Sequence, residues 1–284
     1  MIGKIGFGSS SSFNIGSLHA QRAMRMNALA FDQSLNKLAT GLRINRGVDD
    51  PAGLIASENL RATLAALDAE TNANVRASNI ASTADGALSQ VSGLLTEAKT
   101  LVNANANEAG ISAEEKAANQ LQIDSILSTV DRLSNGTSFG GQKLLTGNAT
   151  IAASGKSLAI SSSSTGSIGK TVDGSTTYTL ADLKTGGDVS TAALASKVIE
   201  QAITDVSTQR AKIGGFDKNT LQTRLATIET SREQMLSAVS MIRDTDYAME
   251  VSRAARYDLL KQSSILMLNK SNRKTLISTF SVLA

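Results

Sequence analysis

Two stretches of the chain carry apolar residues at alternating steps of four and three positions. This spacing keeps residues on one face of a helix and is typical of helices that pack as coiled coils. The first stretch runs through Ala77, Ala81, Ala84, Leu88, Val91, Leu95, Ala98 and Val102. The second runs through Leu221, Leu225, Ile228, Arg232, Met235, Val239 and Ile242. We expect two long helices with one buried face each, and Arg232 must reach solvent or an acidic partner because burying an unpaired charge is costly.

The same periodicity predicts helices over residues 15–42, 51–105 and 112–134, and another that starts at about Thr191. In the third of these, Ile123, Leu127 and Val130 share one face. The C-terminal stretch is amphipathic and mildly basic. Such a helix either packs against the rest of the chain or presents a surface to a membrane or a partner. We favour the packed helix.

A connector with the sequence GLRINRGVDDPAG separates the first two predicted helices. Gly41 stands where a left-handed glycine commonly ends a helix. Asp50 can accept hydrogen bonds from the first N–H groups of the next helix. Pro51, the one proline of the chain, suits the first helical position because its missing N–H would have no partner there. These residues predict a sharply bounded turn, and an ordinary interhelical loop would explain them equally well.

Residues 137–190 are rich in Ser, Thr and Gly and poor in charge. Short β-prone runs at 158–160 and 176–180 stand between Gly and Ser turns, which predicts one or two hairpins on an exposed lobe. A disordered segment is the alternative. The fold class is therefore predicted to be mainly α. Long antiparallel helices from both chain ends form coiled-coil or bundle layers, with a small β-hairpin lobe in the middle of the chain.

The sequence offers no constellation of catalytic or metal-binding residues. There is no cysteine, which excludes thiolate chemistry, and the single histidine, His19, lies in a polar part of a predicted helix. The segment GTSFGGQK has glycines like those of a phosphate-binding loop but lacks the Ser or Thr that should follow its lysine. The acidic pairs Asp49–Asp50 and Asp244–Asp246 stand at predicted helix boundaries, where capping is the simpler role. We expect neither enzyme activity nor a cofactor.

Charge and hydropathy point away from nucleic acid and membrane as partners. The 28 basic and 25 acidic side chains give a net charge of +3, which is too mild to indicate nucleic-acid binding. No run reaches the roughly 18 consecutive apolar residues of a transmembrane helix. The N-terminal MIGKIGFGSSSSFNIGS lacks the apolar core of a secretory signal peptide.

Four segments of the chain closely resemble bacterial flagellin. The resemblance is carried by LNKLATGLRINRGVDDPAGLIASENLRA at 35–62, ADGALSQV at 84–91, VDRLSNGTSFGGQKLL at 130–145 and IRDTDYAMEVSRAARYDLLKQSSILML at 242–268. N-terminal and C-terminal signatures in the right order make this a highly specific match. The similar regions cover about 15–145 and 197–270.

The resemblance implies a division of the chain into filament layers. Residues 1–46 and 247–284 would form an inner helical layer, 47–136 and 191–246 an outer α layer, and 137–190 the hairpin lobe. Because an isolated pair of amphipathic helices is marginally stable, we expect the two terminal segments to be largely disordered in the monomer. They would fold on polymerisation, when copies bury each other's apolar stripes.

The function implied is that of a structural subunit that polymerises into the filament of the bacterial flagellum. Its partners would be other copies of itself, the flagellar export apparatus, a flagellin chaperone, the filament cap and the hook–filament junction proteins. It would leave the cell without a cleaved signal peptide and lie in the extracellular filament. The alternatives are a hook–filament junction protein, which resembles flagellin at both ends, and a coiled-coil protein that binds membrane surfaces through the basic tail.

The connector between the two layers supplies the candidate subunit-contact residues that the resemblance implies. They come from the GLRINRGVDDPAG stretch and from the matching IRDTDYA stretch of the C-terminal half. The candidates are Arg43, Asn45, Arg46, Asp49, Asp50, Arg243, Asp244 and Asp246.

A second set of residues departs from the family pattern on a surface that, in similar flagellins, engages the flagellin-sensing Toll-like receptor. The segment LTEAKTLVNA aligns with the receptor-binding stretch, so Glu97 and Lys99 stand where the family has arginines. Leu101 keeps the apolar anchor, and Gln122 falls near the position of a family acid. A reversed charge in an interface leaves partner groups unpaired, so we expect weak or no receptor activation.

Overall fold

Six helices account for most of the described chain. The computed structural model describes residues 15–106, 111–187 and 191–283, with side chains described as far as residue 273. Residues 1–14, on which most of the signal-peptide inference rests, lie outside the described residues. The helices are α1 (Ile15–Thr40), α2 (Pro51–Ala106), α3 (Ala113–Gly136), α4 (Ala192–Phe216), α5 (Thr223–Arg243) and α6 (Tyr247–Leu283). The mainly helical class predicted from the sequence is confirmed.

Gly41 ends α1 as predicted, and Ser112 and Thr191 provide caps that were not predicted from the sequence. Gly41 has φ +72° and donates its N–H to the Lys37 carbonyl at 2.9 Å, which closes α1. Ser112 and Glu115 form a reciprocal capping box at the start of α3. Thr191 precedes α4 and accepts from the Leu194 N–H. Between α4 and α5 the chain does not break but widens into a π-helical turn at Asp217–Gln222.

The chain divides into two compact units. Unit 1 consists of Met1–Thr63 and Gln234–Ala284, and unit 2 consists of Leu64–Glu233. In unit 1, α1 packs against α6 in the antiparallel sense, since Asn27 bonds to Ser264 and Lys261 lies 5.5 Å from the ring centre of Phe31. In unit 2, α2 runs antiparallel to α4 and α5, since Lys99 pairs with Glu200 and Asp68 with Arg232.

The predicted seam on α2 is the spine of the core of unit 2. All eight of its residues are at most 5% exposed. The predicted face of α3 packs on it, as do Val198, Ile199, Ala202, Val206 and Ile213 of α4. The second predicted seam is less buried: Leu221 and Ile228 are fully covered, the remaining apolar positions are half-buried, and Arg232 is exposed.

Three antiparallel hairpins occupy the described part of the Ser/Thr/Gly-rich region, where the sequence indicated one or two. Their strands are β1 (Ser138–Phe139), β2 (Gln142–Lys143), β3 (Ala149–Ala153), β4 (Lys156–Ile160), β5 (Thr171–Asp173) and β6 (Thr176–Tyr178). In β3 alternate residues are buried, as one covered face of a strand requires. Ile151, Ile160 and Leu145 lie in the same core as the helices. The β3–β4 hairpin therefore covers the helical core, whereas the β5–β6 hairpin is largely exposed, as predicted.

Candidate functional site

The connector of unit 1 pairs with the short break between α5 and α6. Leu42 and Asp244 form an isolated antiparallel bridge. The Arg43 N–H donates to the Arg243 carbonyl at 2.6 Å, and the Thr245 N–H donates to the Gly41 carbonyl at 2.9 Å. The two stretches that the sequence singled out separately thus lie side by side and satisfy each other's backbone groups.

The aspartates at this point cap helices and hold turns. Asp50 accepts from the Gly53 N–H at 2.9 Å and caps α2, while Asp246 accepts from the Met249 N–H at 3.0 Å and caps α6. Asp244 accepts from the Ser240 hydroxyl at 2.6 Å. Carboxylates at helix N-termini also interact favourably with the positive end of the helix dipole. These side chains therefore stabilise the end of α5 and the first turns of α2 and α6.

Asp49 closes the connector on itself. Its Oδ2 accepts from the backbone N–H groups of Asn45 at 3.0 Å and Arg46 at 2.9 Å. These hydrogen bonds, first that of Arg46 and then that of Asn45, hold the pKa of Asp49 below its ordinary value. The Asn45 amide donates in turn to the Thr40 hydroxyl at 2.7 Å. The turn is thereby tied to the last residue of α1.

Two arginines bind the connector to its surroundings within unit 1. Arg43 donates to the Ile242 carbonyl at 2.5 Å. Arg243 pairs with Glu58 of α2 at 2.8 Å, and its side chain is only 15% exposed. Glu58 was not singled out by the sequence, because it lies 185 positions from its partner.

Arg46 and Val48 are exposed residues of the connector whose side chains are not engaged by hydrogen bonds within the described residues. In the described part of the chain, the Arg46 side chain makes no hydrogen bond or ion pair, although its charge contributes weakly to the lowered pKa of Asp49. Val48 is 91% exposed. Val48 was not among the residues predicted from the sequence, although an apolar side chain within a polar turn was a visible signal.

Two glycines are required where they stand. A Cβ atom on Gly41 would lie 2.7 Å from the Tyr247 hydroxyl oxygen, in addition to the left-handed backbone. A Cβ atom on Gly53 would lie 2.5 Å from the Asp50 carboxylate and 2.7 Å from Ile44. Ile44 is 1% exposed and is a buried apolar residue of the connector. The connector is thus packed closely around its caps.

The second candidate set lies in unit 2 and falls on two surfaces. Gln122 of α3 donates to Glu97 of α2 at 3.4 Å, so these two share an exposed patch. Lys99 faces α4, where it pairs with Glu200 at 3.1 Å. Leu101 is half-buried and packs on the core. The structure therefore brings Glu97 and Gln122 together and separates Lys99 from them.

Polar contacts across unit 2 were not visible in the sequence. Arg224 makes two hydrogen bonds to Glu70, at 2.7 and 3.0 Å, and Glu70 also accepts from Ser154 in the β3–β4 turn. The Arg224 hydrogen bond is the main reason that the pKa of Glu70 lies below its ordinary value. Arg210 pairs with Asp85 at 2.8 Å. These pairs tie α2 to α4, α5 and a hairpin.

Asp131 of α3 is a second polar node of unit 2. It accepts from the Thr165 N–H at 2.9 Å and from Lys184 at 2.9 Å. Burial works to raise the pKa of Asp131, but the hydrogen bonds from Thr165 and Lys184 together lower it below its ordinary value. The node fastens the loop around Thr165 to the helices.

Neither a metal cluster nor a membrane span is found in the parts of the chain described above. No three His, Cys, Asp or Glu side chains there come together as metal ligands. Among the same residues no helix is both long and apolar enough to cross a membrane. His19 is an exposed residue of α1, on the rim of a groove between α1 and α6.

Comparison with known proteins gives matches at both ends of the chain. Residues 12–150 match the bacterial flagellin N-terminal helical region, and residues 196–280 match the bacterial flagellin C-terminal helical region. Flagellin of Bacillus subtilis (strain 168) is 30% identical, with 92% of this chain and 95% of the relative covered. Flagellin FlaB2 of Treponema pallidum (strain Nichols) is also 30% identical, with 92% and 96% covered. The crystal structure of Bacillus cereus flagellin aligns at 21% identity and a TM-score of 0.42, covering 54% of this chain and 86% of that one.

Proposed function

Because the chain belongs to the bacterial flagellin family and is a structural subunit of the flagellar filament, we propose that α1 and α6 are its principal assembly surface. Apolar residues along both helices face solvent in the single chain. Leu29 is 60% exposed, Leu259 is 66% exposed and Leu266 is 70% exposed. Exposed apolar stripes of this extent mark surfaces that other proteins cover. In a homopolymer the covering protein is another copy of the same chain.

Removing α6 tests this proposal directly. A chain truncated after Asp246 loses the surface that other copies bury but keeps all of unit 2. We expect a soluble, helical monomer that forms no filaments when examined by electron microscopy under polymerising conditions. Filaments of normal appearance from the truncated chain would refute the proposal. The full-length chain is the positive control, and it should form filaments at the same concentration.

The proposed assembly also includes the division of the chain into filament layers that the family resemblance implies. Residues 1–46 and 247–284 are assigned to an inner helical layer of the filament, and residues 47–136 and 191–246 to an outer one. The terminal segments order on assembly. The support is that the described part of unit 1 contains only two buried apolar residues, Ile44 and Ala254, so intrachain packing contributes little to its stability.

Within the connector, Arg46 and Val48 are the residues proposed to touch a neighbouring subunit. The other candidates make hydrogen bonds or ion pairs within the chain and hold the connector in its conformation. They are Arg43, Asn45, Asp49, Asp50, Arg243, Asp244 and Asp246. Replacing Arg46 with Ala and Val48 with Ser should raise the critical concentration for polymerisation and leave monomer unfolding unchanged. An unaltered critical concentration would exclude a contact at these positions.

The remaining partners come from family membership. The chain is exported without a cleaved signal peptide through the flagellar export apparatus, meets a flagellin chaperone, and is added beneath the filament cap beyond the hook–filament junction proteins. The filament is then extracellular, and the subunit has no catalytic role. A sheared filament preparation separates this function from that of a junction protein, because a filament subunit should be its dominant protein.

Activation of the flagellin-sensing Toll-like receptor is proposed to be weak. Glu97 and Gln122 share one exposed patch, so a negative charge stands at the centre of the surface where similar flagellins present arginine. One lost charged contact typically costs about 2–5 kcal/mol, or roughly 30- to several-thousand-fold in affinity. A receptor reporter assay on the monomer should give a weak signal that Glu97→Arg strengthens. Potent signalling by the unaltered chain, or no gain in a folded variant, would contradict this.

A further inference from the structure

The buried residues of α4 and α5 follow a seven-residue repeat with one extra residue in it. Steps of seven connect Ile199, Val206 and Ile213, and steps of seven resume at Leu221 and Ile228, all of them at most 2% exposed. Between Ile213 and Leu221 the step is eight. Helices that pack over many turns normally keep a constant repeat, and an added residue must be absorbed by a local change in winding.

The opposing helix has no such irregularity. On α2 a seven-residue repeat runs without interruption through Asn74, Ala81, Leu88, Leu95 and Val102, all buried. Ion pairs to α2 occur on both sides of the eight-residue step, from Arg210 in α4 and from Arg224 in α5. Helix α2, with its regular repeat, therefore packs against a rod that consists of α4, the turn at Asp217–Gln222 and α5. This rod contains one residue more than a constant seven-residue repeat requires.

The extra residue is absorbed by the π-helical turn at Asp217–Gln222. Gln222 donates to the Asp217 carboxylate at 2.8 Å, and the Thr223 hydroxyl donates to the Lys218 carbonyl at 3.4 Å, both across five positions. This spacing belongs to a π turn and not to an α-helix, where side chains meet at three and four positions. Such single turns are rare and are often found at functional sites.

Two further features weaken the rod at the same place. Gly214 and Gly215 lie within α4 just before the turn, and an added Cβ atom would meet nothing within 4 Å at either. Close packing therefore does not require glycine there, and glycine lowers helix stability. The second oxygen of Asp217, Oδ1, is buried and has no hydrogen-bond partner within the described residues. An unsatisfied buried acceptor is destabilising.

We propose that residues 214–222 are a joint in the rod formed by α4 and α5. The joint accommodates the one residue that exceeds the seven-residue repeat, and it thereby keeps both helices in register with α2. It is also the part of the rod that opens to solvent first. Locally unstable segments of this kind set where a protein bends or opens. The joint acts within one chain, so the inference does not depend on how the subunit assembles.

Deleting one residue tests whether the turn accommodates one residue beyond the seven-residue repeat. Asn219 and Lys218 are exposed residues of the turn, and removing either one should let α4 and α5 join as a continuous α-helix with unbroken steps of seven. The matched control removes Thr230, an exposed residue of α5. This deletion shortens the seven-residue step from Ile228 to Met235 to six and so breaks the repeat. In the full-length chain, the turn deletions should keep or raise the urea midpoint, and the control should lower it. Turn deletions that unfold the chain, or that lower the midpoint as the control does, overturn the proposal.

Hydrogen exchange tests the opening. Backbone amides of 217–223 should exchange faster than those of the neighbouring turns of α4 and α5, and should slow to their rate when Asn219 is deleted. A variant of unchanged length, Gly214→Ala with Gly215→Ala, should slow exchange about tenfold, because alanine favours the helix at both positions. Exchange at 217–223 as slow as in the rest of the rod of the unaltered chain would overturn the joint, and so would an unchanged rate in the alanine variant.

Discussion

Leucines with similar helical spacing are covered in unit 2 and exposed in unit 1. On α2, Leu88 and Leu95 are completely buried. On α1 and α6, Leu29 is 60% exposed and Leu259 is 66% exposed. The sequence pattern alone does not distinguish these residues, since all lie on amphipathic helices. The difference arises from what packs on each helix.

In unit 2 the seam of α2 is covered by α3, α4 and the hairpins, so one chain completes a core. In unit 1, α1 and α6 have mainly each other, and two helices cover only part of each other's surface. The core of unit 2 therefore stabilises the single chain. Under the proposed assembly, the apolar residues of unit 1 contribute to stability when other copies cover them.

The largest expected effect separates these two roles. Leu88→Ala should destabilise unit 2 by about 2–5 kcal/mol, because it removes buried apolar surface and leaves a cavity. Leu29→Ala, the matched substitution in unit 1, should leave monomer unfolding almost unchanged and should raise the critical concentration for polymerisation. Urea unfolding of the monomer and sedimentation of polymer measure the two effects. If Leu29→Ala destabilised the monomer as much as Leu88→Ala, the assigned roles would be wrong.

The seam of unit 2 could be predicted because its signal is local and periodic. Eight positions repeat at steps of four and three, and all eight are buried. The Asp50 cap was likewise predictable, since Asp–Pro before an apolar periodic segment is a helix-start signal. Both signals lie within a few residues of the feature that they predict.

Features that depend on register between distant segments could not be predicted. Glu70 meets Arg224 across 154 positions, and either could have paired with another residue on a neighbouring turn. The roles of Asp49 and Arg243 in holding the connector depend on the alignment of α5 beside α2 and on the shape of one turn. The eight-residue step at Leu221 was visible in the sequence, but a π turn was only one way to accommodate it.

A smaller effect is expected from the caps of unit 1. Asp50→Ala removes the acceptor for the Gly53 N–H and should destabilise the start of α2 by about 1 kcal/mol. Asp50→Asn, which keeps a capping oxygen, is the control. Hydrogen exchange of the full-length chain should show faster exchange at residues 51–57 in the alanine variant alone, with the core of unit 2 unaffected. Equal protection in both variants would show that the cap contributes nothing.

Acid should weaken unit 2 through Glu70 and Asp131, whose pKa values are lowered in the folded chain. A carboxylate with a lowered pKa stabilises the fold above its unfolded pKa, and this stabilisation is lost as the pH falls through the folded pKa. The loss should therefore begin near the unfolded values of 4.5 for Glu and 3.8 for Asp and continue below them. Glu70→Gln should be less stable at pH 7 and should lose less on acidification. Glu229→Gln, at an exposed position on α5, is the control and should follow the unaltered chain.

The smallest effect concerns the charged position in the second seam. Arg232 pairs with Asp68 at 3.0 Å, but the two side chains are 49% and 54% exposed, and exposed pairs contribute only about 0–1 kcal/mol. Leucine at this position would extend the apolar contacts of Ile228, so Arg232→Leu should raise the unfolding temperature slightly. Arg224→Leu is the matched comparison and should lower the unfolding temperature. It removes two hydrogen bonds to Glu70, whose side chain is only 25% exposed and also accepts a hydrogen bond from Ser154. Thermal unfolding followed by circular dichroism measures both. A loss in Arg232→Leu as large as that in Arg224→Leu would mean that Asp68 holds Arg232 in a specific ion pair despite its exposure.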